Sequence, residues 1–463
     1  MNGETERVLL AVDPATEEAF ATLPLSSEAD VAAALATAER ALDETTEWQQ
    51  PVRRAAALSE LARQVEADAE ELAKLECKDT GKPLSEARAD VSATARYFSY
   101  YAGWADKLYG RSIPLGPDFV DYTLREPHGV CAQIIPWNYP LQVAARCVGP
   151  ALACGNAVVL KPSELASVTP VRLAEMAASA GVPEGFFRVV VGAGDVGAAL
   201  VGDPRVDHVT FVGSAKVGQL IAETCAKRFV PVELEMGGKS PNVVFADADL
   251  DRAVPVIVRS VTQNAGQSCS AGSRLLVDSS RYDEVVERVA KAFHALTIGP
   301  GESDPDLGPV VSEGQLTRAV GMIERAQREG ARLVTGGTRA DIHPGWYLEP
   351  TILDQASPDS EIFQEEVFGP VLVVAAFGDE EEAVRLANHS QYGLVAGVWT
   401  NDLGRAHRVA RSIRAGQVYV NSYGVGGGES LPFGGYKRSG FARGKGEAAM
   451  LAYSQTKNVC VAL

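Results

Sequence analysis

From residue 131 onward, short apolar runs alternate with stretches of helical periodicity. The runs are rich in β-branched residues, and those before residue 238 are CAQII, NAVVLKP, FFRVVVG, DHVTFVG and VPVELEM. Helical segments such as residues 169–181 and 217–227 separate them. Alternation of this kind predicts βαβ units with a parallel sheet that is buried on both faces. The expected fold class is therefore α/β.

A second α/β set follows residue 238. Its predicted strands are SPNVVFAD, SRLLVDS, ARLVTGG, PVLVVAAF and GQVYVN. Before the first set, residues 26–108 have helical periodicity, with Ser26 or Ser27 as the first N-cap and Gly81 ending a later helix. A chain of 463 residues is too long for one ordinary core. We therefore expect separate domains.

Two stretches fit neither sheet. Residues 121–127 (DYTLREP) and 454–463 (SQTKNVCVAL) have the composition of strands but lie outside both α/β sets. An extended arm and a terminal strand of this kind often pair with another subunit. We expect these residues to form an oligomerisation arm.

Charge and hydropathy exclude several classes of partner. The net charge of −17 argues against nucleic acid and against an anionic membrane surface. No uncharged apolar stretch reaches about 18 residues, so no membrane-spanning helix is predicted. The N-terminal stretch MNGETERVLLAVDP is polar and acidic, which predicts no signal or transit peptide.

The cysteines and histidines form no recognisable framework. The seven cysteines are odd in number and scattered, and no C-x-x-C occurs, which predicts free thiols in a reducing cytoplasm. The six histidines are too dispersed for a metal cluster, so no metal is predicted.

Two glycine-containing turns are candidates for holding a pyrophosphate. Residues 192–197 match G-x-G-x-x-G, with Gly194 at the centre, and stand between a predicted strand and a helix. One unit later, FVGSAKVG leads from a strand into a helix, and its Gly213 and Ser214 could cradle a phosphate at the helix N-terminus. The two turns cannot hold the same pyrophosphate. The residues alone do not choose between them.

One cysteine stands apart from any pairing pattern. Cys269 lies in QNAGQSCSAGSR, among small residues and side-chain amides. With this stretch, a series of motifs occurs in one order along nearly the whole chain. They are PWNYP (136–140), KPSE (161–164), FVGS (211–214), LEMGGKSPN (234–242), GQSCSAGSR (266–274), EEVFGPV (365–371) and PFGGYKRSG (432–440). Together they resemble the aldehyde dehydrogenase superfamily, in its hydrolytic, NAD(P)-dependent branch.

The resemblance implies a separate catalytic role for each of three residues. Cys269 matches the family's nucleophilic thiol, which adds to the aldehyde carbonyl to give a thiohemiacetal. Asn138 matches the amide of the oxyanion hole, and Glu235 the base that activates water for thioester hydrolysis. It also implies a Rossmann-type NAD domain over 1–108 and 128–237 and a catalytic domain over 238–448. The small oligomerisation arm then comprises 109–127 and 449–463, in a homodimer or homotetramer.

The cofactor implied is NAD. Lys161 and Glu164 match residues that bind the adenosine ribose. A carboxylate at Glu164 repels a 2′-phosphate and favours NAD over NADP, although members with such a Glu sometimes use both. The family places the pyrophosphate at the FVGS helix, which assigns Gly213 to the cofactor. Gly194 then belongs to a turn near the adenine.

Further family positions surround the nicotinamide end and the substrate. Trp137 and Ser214 match pyrophosphate contacts. Glu366 matches the residue that holds the nicotinamide ribose, and Phe368 packs near it. One departure from the family is Gly444, where many members carry a Glu assigned to proton relay; this leaves hydrolysis more dependent on Glu235.

The predicted substrate tunnel is less distinctive. Arg146 falls where members that oxidise succinate semialdehyde or salicylaldehyde- and vanillin-like aldehydes carry an Arg, and it suggests a substrate with an anionic or hydroxylated tail. The alternative is a structural Arg paired to a local carboxylate. Tyr139, Tyr97 and Gln263 are also expected to face the tunnel. A betaine-aldehyde or broad aliphatic specificity ranks lower, since a tunnel Arg opposes a cation.

Two other readings remain open at this point. An acylating enzyme that passes the acyl group to coenzyme A is disfavoured, because such members lack the glutamate at position 235. A non-catalytic scaffold protein is disfavoured by the intact Cys269, Glu235 and Asn138.

Overall fold

The computed structural model of the protein describes residues 7–424 and 428–463. Residues 1–6 and 425–427 lie outside the described residues. The first of these ranges begins the stretch that predicted no signal peptide. The second falls in the predicted catalytic domain. No helix of the described part is long and apolar enough to cross a membrane.

The N-terminal part consists of an antiparallel hairpin, four helices and the first two strands of an arm. They are β1 (Val8–Val12), β2 (Ala19–Pro24), α1 (Glu28–Glu44), α2 (Pro51–Ala67), α3 (Ala69–Thr80), α4 (Leu84–Ala102), β3 (Ser112–Ile113) and β4 (Phe119–Pro127). The helices predicted for residues 26–108 are confirmed. Ser27 and Asp30 form a capping box at the start of α1. Gly81 ends α3 in the left-handed conformation, with φ 79°.

The first large sheet follows. Its strands and helices are β5 (Val130–Ile134), α5 (Pro140–Cys154), β6 (Ala157–Lys161), α6 (Val168–Ser179), β7 (Phe187–Val189), α7 (Gly194–Gly202), β8 (His208–Gly213), α8 (Ala215–Arg228) and β9 (Val232–Met236). These five strands are parallel, in the order β9-β8-β5-β6-β7. Their near-complete burial explains the continuous apolar runs of the sequence.

The second large sheet has seven strands. The elements are β10 (Pro241–Val244), α9 (Leu250–Thr262), β11 (Arg274–Asp278), α10 (Tyr282–His294), α11 (Glu313–Arg328), β12 (Arg332–Thr335), β13 (Thr351–Asp354), α12 (Glu361–Gln364), β14 (Val371–Phe377), α13 (Glu380–Asn388), β15 (Val395–Trp399), α14 (Leu403–Ser412) and β16 (Gln417–Val420). The order is β12-β13-β14-β11-β10-β15-β16, and only the pairing of β12 with β13 is antiparallel.

The C-terminal segment returns to both the first sheet and the arm. It contains β17 (Gly440–Phe441), α15 (Gly446–Ala452) and β18 (Ser454–Ala462). β17 pairs antiparallel with β9, so these residues extend the first sheet although they lie in the predicted catalytic domain. β18 pairs with β4 along its whole length in a three-stranded antiparallel sheet of order β18-β4-β3. The two predicted arm strands therefore pair with each other.

The α/β class is confirmed, and its strands lie close to the predicted runs. Two strands of the second sheet, β13 and β15, were not predicted. β13 follows β12 without an intervening helix, so the βαβ alternation does not signal it. β15 contains Gly397, where a Cβ would lie 2.5 Å from the Asn242 side chain, so close packing and not β propensity selects this residue.

Candidate active site

The edge formed by the carboxyl ends of the parallel strands carries the first site residues. Asn138 follows β5 and precedes α5, and Glu235 is the penultimate residue of β9. Since β5 and β9 both flank β8 in one parallel sheet, their ends point the same way. A ligand crevice commonly lies at this edge of an open α/β sheet.

A tight loop between α9 and β11 presents Cys269. Asn264 and Ala265 both have φ 51°, and Gly266 has φ 72°. A Cβ on Gly266 would lie 2.2 Å from the backbone carbon of Gly369, so only glycine fits there. These left-handed residues turn the chain away from α9 and toward the site.

Cys269 is half-buried and packs against an apolar cluster of Leu394, Val395 and Phe433. Burial raises the pKa of its thiol to about 11, although the nearby Arg146 guanidinium opposes this rise. The charge of Arg146 therefore acts on the pKa of the Cys269 thiol. Of the other cysteines, only Cys460 is exposed, and the rest are buried.

Asn138 forms hydrogen bonds with the loop that carries Cys269 through both its side-chain amide and its backbone oxygen. Its Nδ2 donates to the Gln267 carbonyl oxygen at 2.9 Å, and its own backbone oxygen accepts from Asn264 Nδ2 at 2.8 Å. An amide nitrogen carries two hydrogens, so one N–H remains for a substrate oxygen. The hydrogen bonds therefore fix the amide beside the loop that carries Cys269.

Glu235 is buried, with one oxygen in a hydrogen bond and the other in an ion pair. Its Oε1 accepts from the Gly444 backbone N–H at 3.2 Å, whereas Oε2 accepts no hydrogen bond from the described residues. The Arg146 Nη2 lies 3.5 Å from Oε2 as an ion pair. Burial raises the pKa of Glu235, and Arg146 and then Lys445 oppose the rise. A free oxygen on a base with a raised pKa suits proton abstraction.

The absence of a side chain at Gly444 affects the packing around Glu235 as well as the predicted proton relay. A Cβ at this position would lie 2.9 Å from Glu235 Oε1. The glycine lets the backbone N–H itself approach the carboxylate. A glutamate here would have to displace Glu235 from its present position.

The residues predicted for the tunnel occupy different surroundings. The Arg146 guanidinium lies 5.2 Å from the centre of the Phe433 ring, beside Glu235. Tyr139 is the N-cap residue of α5, and the Lys82 ammonium lies 4.3 Å from its ring centre. Tyr97 is buried on α4 below the Lys445 ammonium, at 5.7 Å. Gln263 is half-buried at the C-cap of α9.

At the same carboxyl edge of the first sheet, beyond β5, the predicted ribose residues form a pair. Lys161 ends β6 and is buried, and its Nζ lies 3.4 Å from Glu164 Oε2. Gly194 begins α7 and has open space where a Cβ would be. The aliphatic part of Lys161 lies 3.7 Å from the Cβ position of Gly197. The G-x-G-x-x-G turn therefore stands close to the Lys161–Glu164 pair.

The second glycine turn also opens a helix. Gly213 ends β8, and Ser214 caps α8 by accepting from the Val217 N–H at 3.4 Å. A Cβ on Gly213 would lie 2.5 Å from the Phe211 ring. The N–H groups of this helix start are suited to an anion.

The remaining predicted cofactor residues are Trp137, Glu366 and Phe368. The rings of Trp137 and Phe368 meet edge to face, with centroids 5.2 Å apart. Glu366 Oε1 accepts from the Gly238 N–H at 3.2 Å. Burial raises the pKa of Glu366 to about 7. Phe368 has φ 61°, a left-handed conformation that is uncommon for a bulky residue and typical of functional sites.

Three residues beside the site were not predicted. Lys82 is fully buried and donates to the Asn138 backbone oxygen at 2.9 Å. Asn264 joins Asn138 to the loop, as described above. The charge of Lys445 lowers the pKa of both Glu235 and Cys269. Lys445 follows the Gly444 departure directly, and Lys82 follows the helix-ending Gly81, so both positions adjoin features that the sequence had already singled out.

Comparison with known proteins agrees with this fold and site. The model of the aldehyde dehydrogenase family matches residues 1–459. A betaine aldehyde dehydrogenase of Cereibacter sphaeroides is 42% identical over 100% of this chain and 95% of its own length. The NAD+ complex of an aldehyde dehydrogenase from Bacillus cereus superposes with a TM-score of 0.97 at 40% identity, covering 99% of this chain and 94% of that one.

A third relative is named for a different substrate. The γ-glutamyl-γ-aminobutyraldehyde dehydrogenase from Burkholderia cenocepacia J2315 has a TM-score of 0.96 at 42% identity, covering 99% of this chain and 94% of that one. The site and fold define an α/β oxidoreductase scaffold with a cysteine at its centre. The chain belongs to the aldehyde dehydrogenase family, which confirms the family predicted from the motifs.

Proposed function

We propose that the protein oxidises an aldehyde to a carboxylic acid with NAD, using Cys269 as nucleophile. The observation that carries this proposal is the convergence on one loop. The Asn138 amide is hydrogen-bonded to the loop that carries the half-buried Cys269 thiol, and the charge of Glu235 acts on the pKa of that thiol. This is the set of groups that thioester chemistry requires.

The first step joins the thiol sulfur to the aldehyde carbon. The Cys269 thiolate adds to the carbonyl, and the Asn138 amide and the Cys269 backbone N–H donate to the oxygen that becomes negative. Removing one such donor commonly costs about 3–4 kcal/mol of transition-state stabilisation. When bound, NAD accepts the hydride that leaves the former carbonyl carbon, so the carbon bound to sulfur becomes a thioester.

The second step releases the acid. Glu235 takes a proton from water, the hydroxide adds to the thioester carbon, and the Cys269 thiolate leaves. The free Oε2 of Glu235 is the atom suited to receive the proton. The presence of this glutamate disfavours transfer to coenzyme A, and the intact triplet of Cys269, Asn138 and Glu235 disfavours a non-catalytic scaffold.

The chain's own residues fit NAD. Lys161 and Glu164 would hold the adenosine ribose, and the exposed Glu164 carboxylate disfavours NADP. The open space at Gly194 leaves room for the adenine, and the α8 start at Gly213 and Ser214 would hold the pyrophosphate. Trp137, Glu366 and Phe368 would receive the nicotinamide end.

The finer substrate assignment is an aldehyde with an anionic or hydroxylated tail, either a semialdehyde or an aromatic aldehyde. The support is the guanidinium of Arg146 in the tunnel predicted with Tyr139, Tyr97 and Gln263. A betaine-aldehyde specificity is the alternative, because relatives at 42% identity carry that name. A broad aliphatic specificity is the other alternative.

Two features of the chain support a cytoplasmic location and assembly into an oligomer. The cysteines of the described chain are all free, which supports a reducing cytoplasm and is testable by cell fractionation. Exposed apolar side chains along the arm, such as Phe119, Leu124 and Val461, support its role in a homodimer or homotetramer. Light scattering on the purified protein measures which one forms.

The experiment that tests the reaction follows NADH and protein mass together. We expect Cys269→Ala to abolish NADH formation from every aldehyde, while the matched variant Cys460→Ser retains it. Glu235→Gln should produce one equivalent of NADH and then stop, with the acyl group visible on Cys269 by intact mass spectrometry. Undiminished turnover by Cys269→Ala would refute the proposed mechanism.

A further inference from the structure

The strand that carries Glu235 also carries a second buried carboxyl. β9 has the sequence VELEM, and side chains two residues apart in a strand point to the same face of a sheet, so Glu233 and Glu235 lie on one face. Glu233 is 3% exposed, and its Oε1 accepts no hydrogen bond from any described residue. A buried carboxyl oxygen without a partner is costly, which indicates that Glu233 has a role beyond packing.

Most of the titratable groups around Glu233 are neutral. They come from β9, from β5, from α5 and from the residue after α15, and they are Glu235, Cys131, Arg146, Cys147, Cys154 and Tyr453. Burial raises the pKa of the three thiols and of the tyrosine hydroxyl, so these four groups stay uncharged near pH 7. Among the six, only Glu235 and Arg146 carry charge.

These two charged neighbours couple Glu233 to the state of Glu235. Burial and then the negative charge of Glu235 raise the pKa of Glu233 to about 8, while Arg146 opposes the rise. Glu233 is therefore protonated at neutral pH as long as Glu235 is ionised. When Glu235 takes up a proton, the repulsion disappears and Arg146 favours an ionised Glu233. The two carboxyls thus exchange their protonation states readily.

Beyond Glu233, polar side chains continue across the same face of the sheet. Gln133 on β5, Thr210 on β8 and Glu233 on β9 are neighbours in the strand register. The Tyr453 hydroxyl lies 2.7 Å from Thr210 Oγ1 and accepts from Gln133 Nε2 at 3.0 Å. All four side chains are buried. A hydroxyl both donates and accepts, so the pair of Thr210 and Tyr453 can pass a proton on.

Two imidazoles lead from this pair to the surface. The ring of His208 lies 5.0 Å from that of Tyr453, and its Nδ1 has no hydrogen-bond partner in the described chain. Burial lowers the pKa of His208 to about 3, so its ring is neutral. The half-buried His128 stacks on it, with ring centroids 4.8 Å apart. Imidazoles serve as proton shuttles, so this side of the sheet offers an exit for a proton.

We propose that Glu233 relays the proton that Glu235 takes from the hydrolytic water. Glu233 acts through Glu235 and is a positioning residue for the proton, without contact to the substrate. Gly444, where many relatives carry a glutamate, offers Glu235 only a backbone N–H, and Glu447 is exposed. The role of Glu233 rests on the proposed function, because it requires a thioester that water hydrolyses.

The transfers balance in protons and need no further reactant. Glu233 gives its proton to the Thr210 hydroxyl, whose own proton moves to Tyr453 and through the imidazoles to solvent. The O–H bond on Glu235 then breaks, and its proton binds the ionised Glu233. Glu235 regains its charge for the next turnover. In each cycle one proton enters from water and one leaves to solvent.

The experiment separates formation of the acyl group from its hydrolysis. Glu233→Gln keeps the size and the neutral charge of a protonated glutamic acid but cannot give up and regain that proton. NADH of the first turnover is followed by stopped-flow absorbance, with NAD and the fastest of hexanal, benzaldehyde and succinate semialdehyde. Loss of the acyl group from Cys269 is followed by rapid quenching and intact mass spectrometry.

We expect the first-turnover NADH to form at the wild-type rate in Glu233→Gln, because thiol addition and hydride transfer do not use this proton path. Loss of the acyl group should be about 10- to 100-fold slower, within or below the usual contribution of general acid–base catalysis. Glu287→Gln makes the same chemical change at an exposed position of α10 and should match the wild type in both steps.

The pH profile of hydrolysis distinguishes a proton relay from a structural effect. Above its pKa of about 8, Glu233 is ionised and accepts the Glu235 proton without first releasing its own. Wild-type hydrolysis should therefore accelerate as pH rises through this value. Glu233→Gln should lack that rise, since its amide does not titrate.

The possible results support or overturn the role of Glu233 separately from the reaction itself. Hydrolysis at the wild-type rate in Glu233→Gln overturns it, and so does an equal slowing of NADH formation and hydrolysis, which would indicate a disturbed site. Slow hydrolysis with the pH-dependent rise retained also overturns it. If the wild type forms no NADH with any of the aldehydes, the proposed function fails, and the relay with it.

Discussion

Two charged clusters flank the catalytic loop, and they are balanced in opposite ways. Behind Asn138, the Lys82 ammonium lies among Asp90, Glu76 and Glu86, so carboxyls outnumber the cation. Around Glu235, the two cations Arg146 and Lys445 outnumber the single carboxylate. The first cluster holds the frame of the site, and the second lies where the chemistry occurs.

The difference has a simple chemical basis. Burial raises the pKa of Glu76 and Glu86 to about 7, so protons from water can neutralise the excess carboxyls. A guanidinium cannot lose its proton in the same way. The buried charge of Arg146 therefore needs a carboxylate partner, here Glu235, whereas the excess carboxyls of the first cluster can be neutralised by protonation.

The largest expected effect comes from breaking the first cluster. Lys82→Met leaves Asp90 and Glu76 buried without their cation and removes the donor to the Asn138 backbone oxygen. Loss of one partner of a buried ion pair typically costs about 3–5 kcal/mol. We expect a lower thermal midpoint, measured by calorimetry, and a lower kcat.

A second substitution distinguishes charge from packing in that cluster. In Lys82→Met/Asp90→Asn the leftover carboxylate is removed, so part of the lost stability should return. A midpoint that does not change in Lys82→Met would show that the ammonium contributes little to the frame.

The next effect concerns the second cluster and pH. Arg146 lowers the pKa of Glu235, so Arg146→Met should raise it. The base works only when ionised, and its activity is lost as pH falls through its pKa. The acidic limb of the pH profile of kcat should therefore move to higher pH. Below the raised pKa, kcat should fall about tenfold for each unit of pH, because the ionised fraction of the base falls by that factor.

Arg146→Lys is the matched variant, since it retains a positive charge near Glu235. Its acidic limb should lie between those of the wild type and Arg146→Met. An acidic limb at the same pH in all three proteins would mean that the ion pair does not tune the base.

The smallest effect is on the free thiol. Cys269 reacts as its thiolate, and the pKa of about 11 means that alkylation accelerates as pH rises above neutrality. Lys445 lowers that pKa, so Lys445→Met should slow alkylation by iodoacetamide about 2- to 5-fold. The rate is measured in a Cys460→Ser background, because Cys460 is the other accessible thiol.

Lys291→Met in the same background is the comparison, and its rate should equal that of the parent. Equal rates for Lys445→Met and the parent would show that the cation excess does not reach the sulfur, which would weaken the contrast between the two clusters.

Much of the framework was predictable from local pattern. The apolar β-branched runs marked most strands of both sheets, and Ser27 and Gly81 marked helix ends, because these signals depend on neighbours in the sequence. β13 and β15 were missed, since β13 follows β12 without an intervening helix and β15 contains a glycine that close packing selects. The roles of the predicted site residues stay predictions, although Asn138, Glu235 and Arg146 do lie around the cysteine loop.

The sequence by itself determined the α/β class, the family and the lone thiol, because ordered motifs and periodicity are carried by residues close in the chain. Only the tertiary structure decided which charges meet. Arg146, Glu235 and Lys445 lie on three distant segments, and their pairing depends on how α5, β9 and the segment before α15 pack together. Burial then sets the pKa of each group, and no property of the isolated residues reveals that balance.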